Sequence, residues 1–108
     1  MIFTMNVSDD KGIRKETRRV LGRHLYRISA ACYLGRSGKT LERLLEELPK
    51  ESKVIAARHR PDRHLGFSLH VITDGKIVDV EESEIFDNLH RLGLKKKKSK
   101  KLTDWSVD

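Results

Sequence analysis

Near its start the chain places an amide and two carboxylates within five residues, Asn6-Val7-Ser8-Asp9-Asp10. Amide and carboxylate oxygens are the donors a hard divalent cation takes, and a carboxylate can also act as a general base. Asp9 or Asp10 also suits the start of a helix, where a carboxylate accepts from free backbone N–H groups. A second group is Arg58-His59-Arg60-Pro61-Asp62-Arg63-His64, with three Arg and two His in seven residues. Guanidinium groups crowded into one turn suit phosphate contact. His59, His64 and His70 have no carboxylate or Cys at ligand spacing among them, which argues against a metal site there. A third stretch, Gly35-Arg36-Ser37-Gly38-Lys39-Thr40, has the look of a phosphate loop. That motif needs a Gly five positions before its second Gly, and Tyr33 stands there, so a nucleotide triphosphate site is excluded. What remains is either a helix start able to hold one phosphate beside Arg36 and Lys39, or a plain strand-to-helix turn. Cys32 is the single cysteine, so it has no internal disulfide partner and reads as a small buried hydrophobe.

These groups sit on a chain of 108 residues, enough for one domain with a modest core, for which dimerisation is a natural supplement. The hydrophobic and charged fractions are nearly equal at 37% and 36%, which suits a soluble protein. No stretch of 18 apolar residues and no signal-peptide pattern occurs, so no membrane is expected and a cytoplasmic location is. A net charge of +7 points to a polyanionic partner, above all nucleic acid.

The elements that must position these side chains follow from periodicity. Met1 to Val7 is rich in β-branched, aromatic and long apolar residues and predicts a strand ending at Asn6. Asp10 to Leu25 predicts a helix, with Ile13, Thr17, Val20 and Leu21 on its apolar stripe. The opposite face carries Arg14, Lys15, Arg18, Arg19 and Arg23, which can follow a phosphate backbone. Arg27 to Leu34 predicts a second strand, and Thr40 to Leu48 a leucine-striped helix stopped by Pro49, with Glu42, Glu46 and Glu47 outward. Val54 and Leu65 open the two strands of a hairpin whose tip carries the arginines. Asp74-Gly75 then turns the chain into a fifth strand, Lys76 to Val80, and Ser83 to Leu92 predicts a small helix. Lys95 to Lys101 has six Lys in seven residues, a run that can neutralise several phosphates. The last residues hold the only Trp, Trp105, a candidate anchor for a protein partner.

The predicted class is α+β: a ferredoxin-like sandwich, an antiparallel sheet of four to five strands with two main helices on one face and a basic C-terminal tail. Domain limits are 1–80 for the sandwich, 81–94 for a short helical extension and 95–108 for the tail.

At residue level the chain resembles the CRISPR-associated protein two family, the small adaptation subunit of the spacer-integration complex. The resemblance rests on Met5-Asn6-Val7-Ser8-Asp9-Asp10-Lys11, an apolar strand end with an acidic turn, and on Arg27-Ile28-Ser29-Ala30-Ala31-Cys32-Tyr33-Leu34-Gly35. It implies a homodimeric adaptor that holds double-stranded DNA between copies of the CRISPR integrase, CRISPR-associated protein one, during spacer acquisition in antiviral defence. Arg14, Arg18, Arg19, Arg23, Arg58, Arg60 and Arg63 are the expected phosphate contacts, and Trp105 the expected contact to a protein. The alternative is an endonuclease of the same family, dependent on a divalent cation such as Mg²⁺ and acting on DNA or RNA, or a toxin-like ribonuclease. Asn6 stands where metal-dependent members carry the Asp that holds the cation. An amide oxygen can coordinate, but it brings no negative charge and cannot act as a base. The resemblance therefore favours the adaptor, which requires no cofactor, and leaves Asp9 and Asp10 as secondary candidates for chemistry.

Overall fold

The computed structural model describes residues 1–94. The chain runs β1 (Ile2–Asn6), α1 (Lys11–His24), β2 (Tyr26–Arg27), β3 (Cys32–Gly35), α2 (Thr40–Glu47), β4 (Lys53–His59), β5 (Phe67–Thr73), β6 (Lys76–Val80), a 3₁₀ turn (Glu82–Glu84) and α3 (Ile85–Arg91). One sheet holds every strand in the order β2-β3-β1-β4-β5-β6, and every adjacent pair is antiparallel. The first four strands and first two helices make the βαββαβ connection of a ferredoxin-like sandwich. β5 and β6 extend its sheet beyond β4.

β1 is the hub. Ile2, Thr4 and Asn6 on its helix-facing side are buried, whereas Phe3 and Met5 on the other side are half-buried, as alternation along a strand requires. α1 begins where the Asp10 carboxylate accepts from Ile13 N–H at 3.0 Å, and ends where Leu25 N–H reaches the Leu21 carbonyl. Its apolar stripe brings Thr17, Val20 and Leu21 onto the sheet. α2 adds Leu41 and Leu44, and the two helices close one core with Ile2, Tyr33, Val54, Ala56 and Ile72. Among the described residues no helix is long and apolar enough to cross a membrane.

Two details differ from the sequence-based expectation. The second strand is not continuous from Arg27 to Leu34. The chain folds back at Ile28, whose N–H, with that of Ser29, donates to the Cys32 carbonyl at 3.0 and 3.3 Å. The alternating run is thereby split into a short hairpin, β2 and β3, and the sheet has six strands rather than four to five. Small residues at 29–31 satisfy a strand's alternation equally well, so the pattern alone did not reveal the fold-back.

The sheet's second face carries Phe3, Met5, Cys32, Leu34, Ile55, Ala57 and Leu69, all half-buried. α3 lies across one end of it, over an open groove of about 1100 Å³ lined by Val7, Lys53, Ile55, Phe86 and Leu89. The remainder of this apolar face has no covering element among the described residues. At the helix-bearing face packing is much closer. A Cβ on Gly35 would lie 2.4 Å from Leu25 Cδ2 and 3.0 Å from Ile2 Cγ2. Gly35→Ala is therefore expected to lower stability by about 1–3 kcal/mol without changing the fold. Urea unfolding followed by circular dichroism checks this.

Candidate nucleic-acid interface

The register of β1 decides which predicted site residues can act together. Asn6 pairs with Val54 and Ile2 with Arg58, so Asn6 and the arginines beyond β4 lie at opposite ends of the sheet. At about 3.3 Å per residue the two ends are roughly 13 Å apart along β1 alone.

At the first end, Asn6 is 8% exposed and both ends of its amide are occupied. Nδ2 donates to the Arg14 carbonyl at 3.0 Å, and Oδ1 accepts from Ser8 N–H at 3.2 Å. Arg14 completes the brace by donating to the Ser8 carbonyl at 3.2 Å and the Asp9 carbonyl at 3.0 Å. Asp10 caps α1, and Asp9 is exposed in the turn. No cluster of three or more His, Cys, Asp or Glu able to hold a metal ion occurs among the described residues.

The basic face of α1 is partly neutralised. Arg19 pairs with Glu16 at 2.5 Å and Arg23 with Glu47 of α2 at 2.5 Å, where His24 is bound to the same carboxylate. Lys15 and Arg18 have no acidic partner among the described residues. With Arg19 and Arg27 they line an open groove of about 530 Å³ between α1 and β3.

The densest cationic site is at the other end of the sheet. The β4–β5 turn folds on its own backbone: Arg60 N–H donates to the Gly66 carbonyl at 2.9 Å, and Gly66 N–H to the Arg63 carbonyl at 3.0 Å. Gly66 has a φ of +79°, a left-handed backbone that suits glycine. The Arg60 guanidinium holds Asp62 with two bonds at 3.1 and 3.0 Å. That hydrogen bond keeps the Asp62 carboxyl below its ordinary range and raises Arg60. Arg63 is exposed. Arg58 points to the helix side, where its stem crosses α2's entry loop so closely that a Cβ on Gly38 would meet Arg58 Cδ at 2.3 Å. Arg58, Arg60 and Arg63 line one cavity of about 130 Å³ together with Asp79, Glu81 and Glu82. The three arginines of the hairpin are thus brought together, next to the Gly35–Lys39 loop. Of the predicted histidines, His59 and His64 are exposed. Trp105 and the lysine run at 95–101 lie outside the described residues.

Sequence reasoning weighed His70 only against a metal site and missed Ser68 and Asp79, the side chains it meets in this cavity. His70 is buried, its Nδ1 lies 2.6 Å from Asp79 Oδ1, and its Nε2 lies 3.0 Å from Ser68 Oγ and 3.3 Å from Arg58 Nη2. A signal was available. Asp74-Gly75 makes a two-residue turn with φ of 54° and 73°, the geometry this dipeptide favours. Counting outward from it pairs Thr73 with Lys76 and His70 with Asp79.

No protein-family model, no curated protein and no solved structure matches this chain.

Two predictions follow from these contacts. Asn6→Asp removes the donor to the Arg14 carbonyl and buries a carboxylate, so it is expected to cost about 1–3 kcal/mol at neutral pH by urea unfolding. The second concerns Glu47, whose carboxyl is held below its ordinary value of 4.5, chiefly by its hydrogen bond to His24 and then by Arg23. A carboxyl lowered in the folded state contributes stability above its unfolded value and loses it as pH falls through the folded one. Stability should therefore decline below about pH 4.5, and Glu47→Gln should flatten that decline in a pH series of unfolding curves.

Proposed function

We propose that this protein binds double-stranded DNA by its phosphates, without reading its sequence, as a homodimeric adaptor of CRISPR spacer acquisition. One observation carries the reading: Arg58, Arg60 and Arg63 converge on one cavity beside a glycine-containing helix entry. Guanidinium groups in a cluster form charge-assisted, bidentate contacts with phosphate oxygens. The groove of Lys15, Arg18, Arg19 and Arg27 supplies a second cationic surface, and the net charge of +7 favours approach of a polyanion.

The homodimer part of the proposal rests on the apolar face of Phe3, Met5, Leu34 and Leu69, which a second copy would cover. The cytoplasmic location is the one expected from the sequence, the integrase partner rests on the family resemblance, and the contact through Trp105 rests on its being the single Trp of the chain. The adaptor needs no resident cofactor, and the buried amide of Asn6, spent on Ser8 and Arg14, suits a role without metal chemistry at that position.

Fluorescence anisotropy with a labelled duplex over a range of salt concentrations tests the reading. Each phosphate contact contributes about −0.9 to the slope of log affinity against log salt. Replacing Arg60 and Arg63 together by Ala should make the slope shallower by about two, equally for duplexes of unrelated sequence. An unchanged slope removes this surface from the interface.

A further inference from the structure

The cavity lining holds a line of three groups that phosphate binding does not use: Ser68, half-buried, His70, buried, and Asp79, whose side chain is 77% exposed. Ser68 and His70 are two residues apart on β5 and point to the same side. Asp79 faces His70 across the β5–β6 ladder. A carboxylate only accepts, so the 2.6 Å contact to Asp79 places the imidazole proton on Nδ1 and leaves a lone pair on Nε2. Two donors converge on that lone pair, Ser68 Oγ at 3.0 Å and Arg58 Nη2 at 3.3 Å. A guanidinium cannot accept a hydrogen bond, so its approach to Nε2 fits the same tautomer. Arg58 Nε is meanwhile buried without a partner among the described residues. A donor in that condition carries the cost of its lost hydration.

We infer that Ser68, His70 and Asp79 form a serine-nucleophile site that hydrolyses phosphodiesters. The substrate class rests on the phosphate-binding reading above, whereas the nucleophile rests on the geometry. An entering phosphodiester offers Arg58 charged oxygens, which are stronger acceptors than an imidazole nitrogen. Arg58 turns to the phosphate, and Nε2 is left to Ser68 alone. His70 Nε2 takes the Ser68 hydroxyl proton as Oγ bonds to phosphorus. One ester P–O bond breaks, and its oxygen leaves as an alcohol with the proton from Nε2. Water then attacks phosphorus and gives a proton to Nε2, the Oγ–P bond breaks, and Oγ recovers that proton. The sum is diester plus water to phosphomonoester plus alcohol. Arg58 stabilises the charge gathering on the non-bridging oxygens. Asp79 is a positioning residue that fixes the imidazole tautomer.

The full-length chain, in EDTA, is treated with a fluorophosphonate and mapped by peptide mass spectrometry, and turnover of bis(p-nitrophenyl) phosphate and of p-nitrophenyl acetate is followed in parallel. The expected result is one adduct, on Ser68, absent in Ser68→Ala. The labelling rate should fall about 100-fold or more in His70→Gln, with melting temperature and circular dichroism showing the variant folded. Asp79→Asn should lower kcat for the phosphodiester with KM little changed, and Asp79→Glu should restore part of it. No adduct on Ser68 of the wild-type chain, or labelling as fast in folded His70→Gln, overturns the nucleophile. Labelling with turnover of the acetate but not the phosphodiester overturns the substrate class. Salt-dependent duplex binding without an adduct sinks this inference and leaves the DNA reading standing. An adduct without salt-dependent binding does the reverse.

Discussion

β1 carries a ladder on both sides, and that constraint places the rest of the molecule. Four of its five residues pair with β3 along one edge and all five with β4 along the other. A slip of one residue would turn Ile2, Thr4 and Asn6 out of the core and Phe3 and Met5 into it. The slip is opposed at both ends of the strand. At one end the Asn6 amide is tied to the Ser8 N–H and the Arg14 carbonyl. At the other, Ile2 and Leu25 close on Gly35, leaving no room for a Cβ. With β1 fixed, the split connections through α1 and α2 must return over the same face, and both helices share one core. The register also fixes which chemistry is possible, because the acidic turn and the arginine cluster cannot reach one substrate atom from opposite ends of the sheet.

The two main helices, the β4–β5 hairpin and the sandwich class were legible because each rests on periodicity or on a turn dipeptide. Leu41, Leu44 and Leu48 recur at helical spacing and are buried, and the Asp10 cap sits where the acidic turn implied. The β2–β3 fold-back was hidden because Ser29, Ala30 and Ala31 are too small to mark an inside and an outside. The arginine cluster was legible as composition, but its floor was not. In the sequence His70 was weighed only against a metal site, and neither Ser68 nor Asp79 stood out from its strand. Only register, set by the Asp74-Gly75 turn, brings the three together. Asn6 was legible as a special position. What it does there, bracing a turn with both ends of its amide, depends on the backbone path of Ser8 and Arg14.

Several of α1's cations already hold partners within the chain. Arg14 spends its guanidinium on the backbone of the turn before the helix, and Arg19 and Arg23 each have a carboxylate at 2.5 Å. Exposed pairs of this kind contribute little to stability, but they must be broken or rearranged before the arginine can serve a phosphate. The hairpin differs. Its one internal pair, Arg60–Asp62, leaves Arg58 and Arg63 without a carboxylate partner among the described residues. The arginines without a carboxylate partner are therefore gathered at the end of the sheet where α2 begins, in a cavity that Asp79, Glu81 and Glu82 also line.

Concentrating charge there has a consequence for the buried imidazole. The His70 ring lies between two neighbours, Asp79 on Nδ1 and Arg58 on Nε2. The balance between the two neighbours depends on where Arg58 points. While Arg58 stays on Nε2, the nitrogen is shielded. When an anion draws Arg58 away, the same movement uncovers the lone pair. Occupancy of the cationic cavity and availability of the base are then one event, because a single side chain serves both. The rigid β5–β6 ladder makes this coupling sharp: His70 and Asp79 are opposite partners in it and cannot follow the arginine.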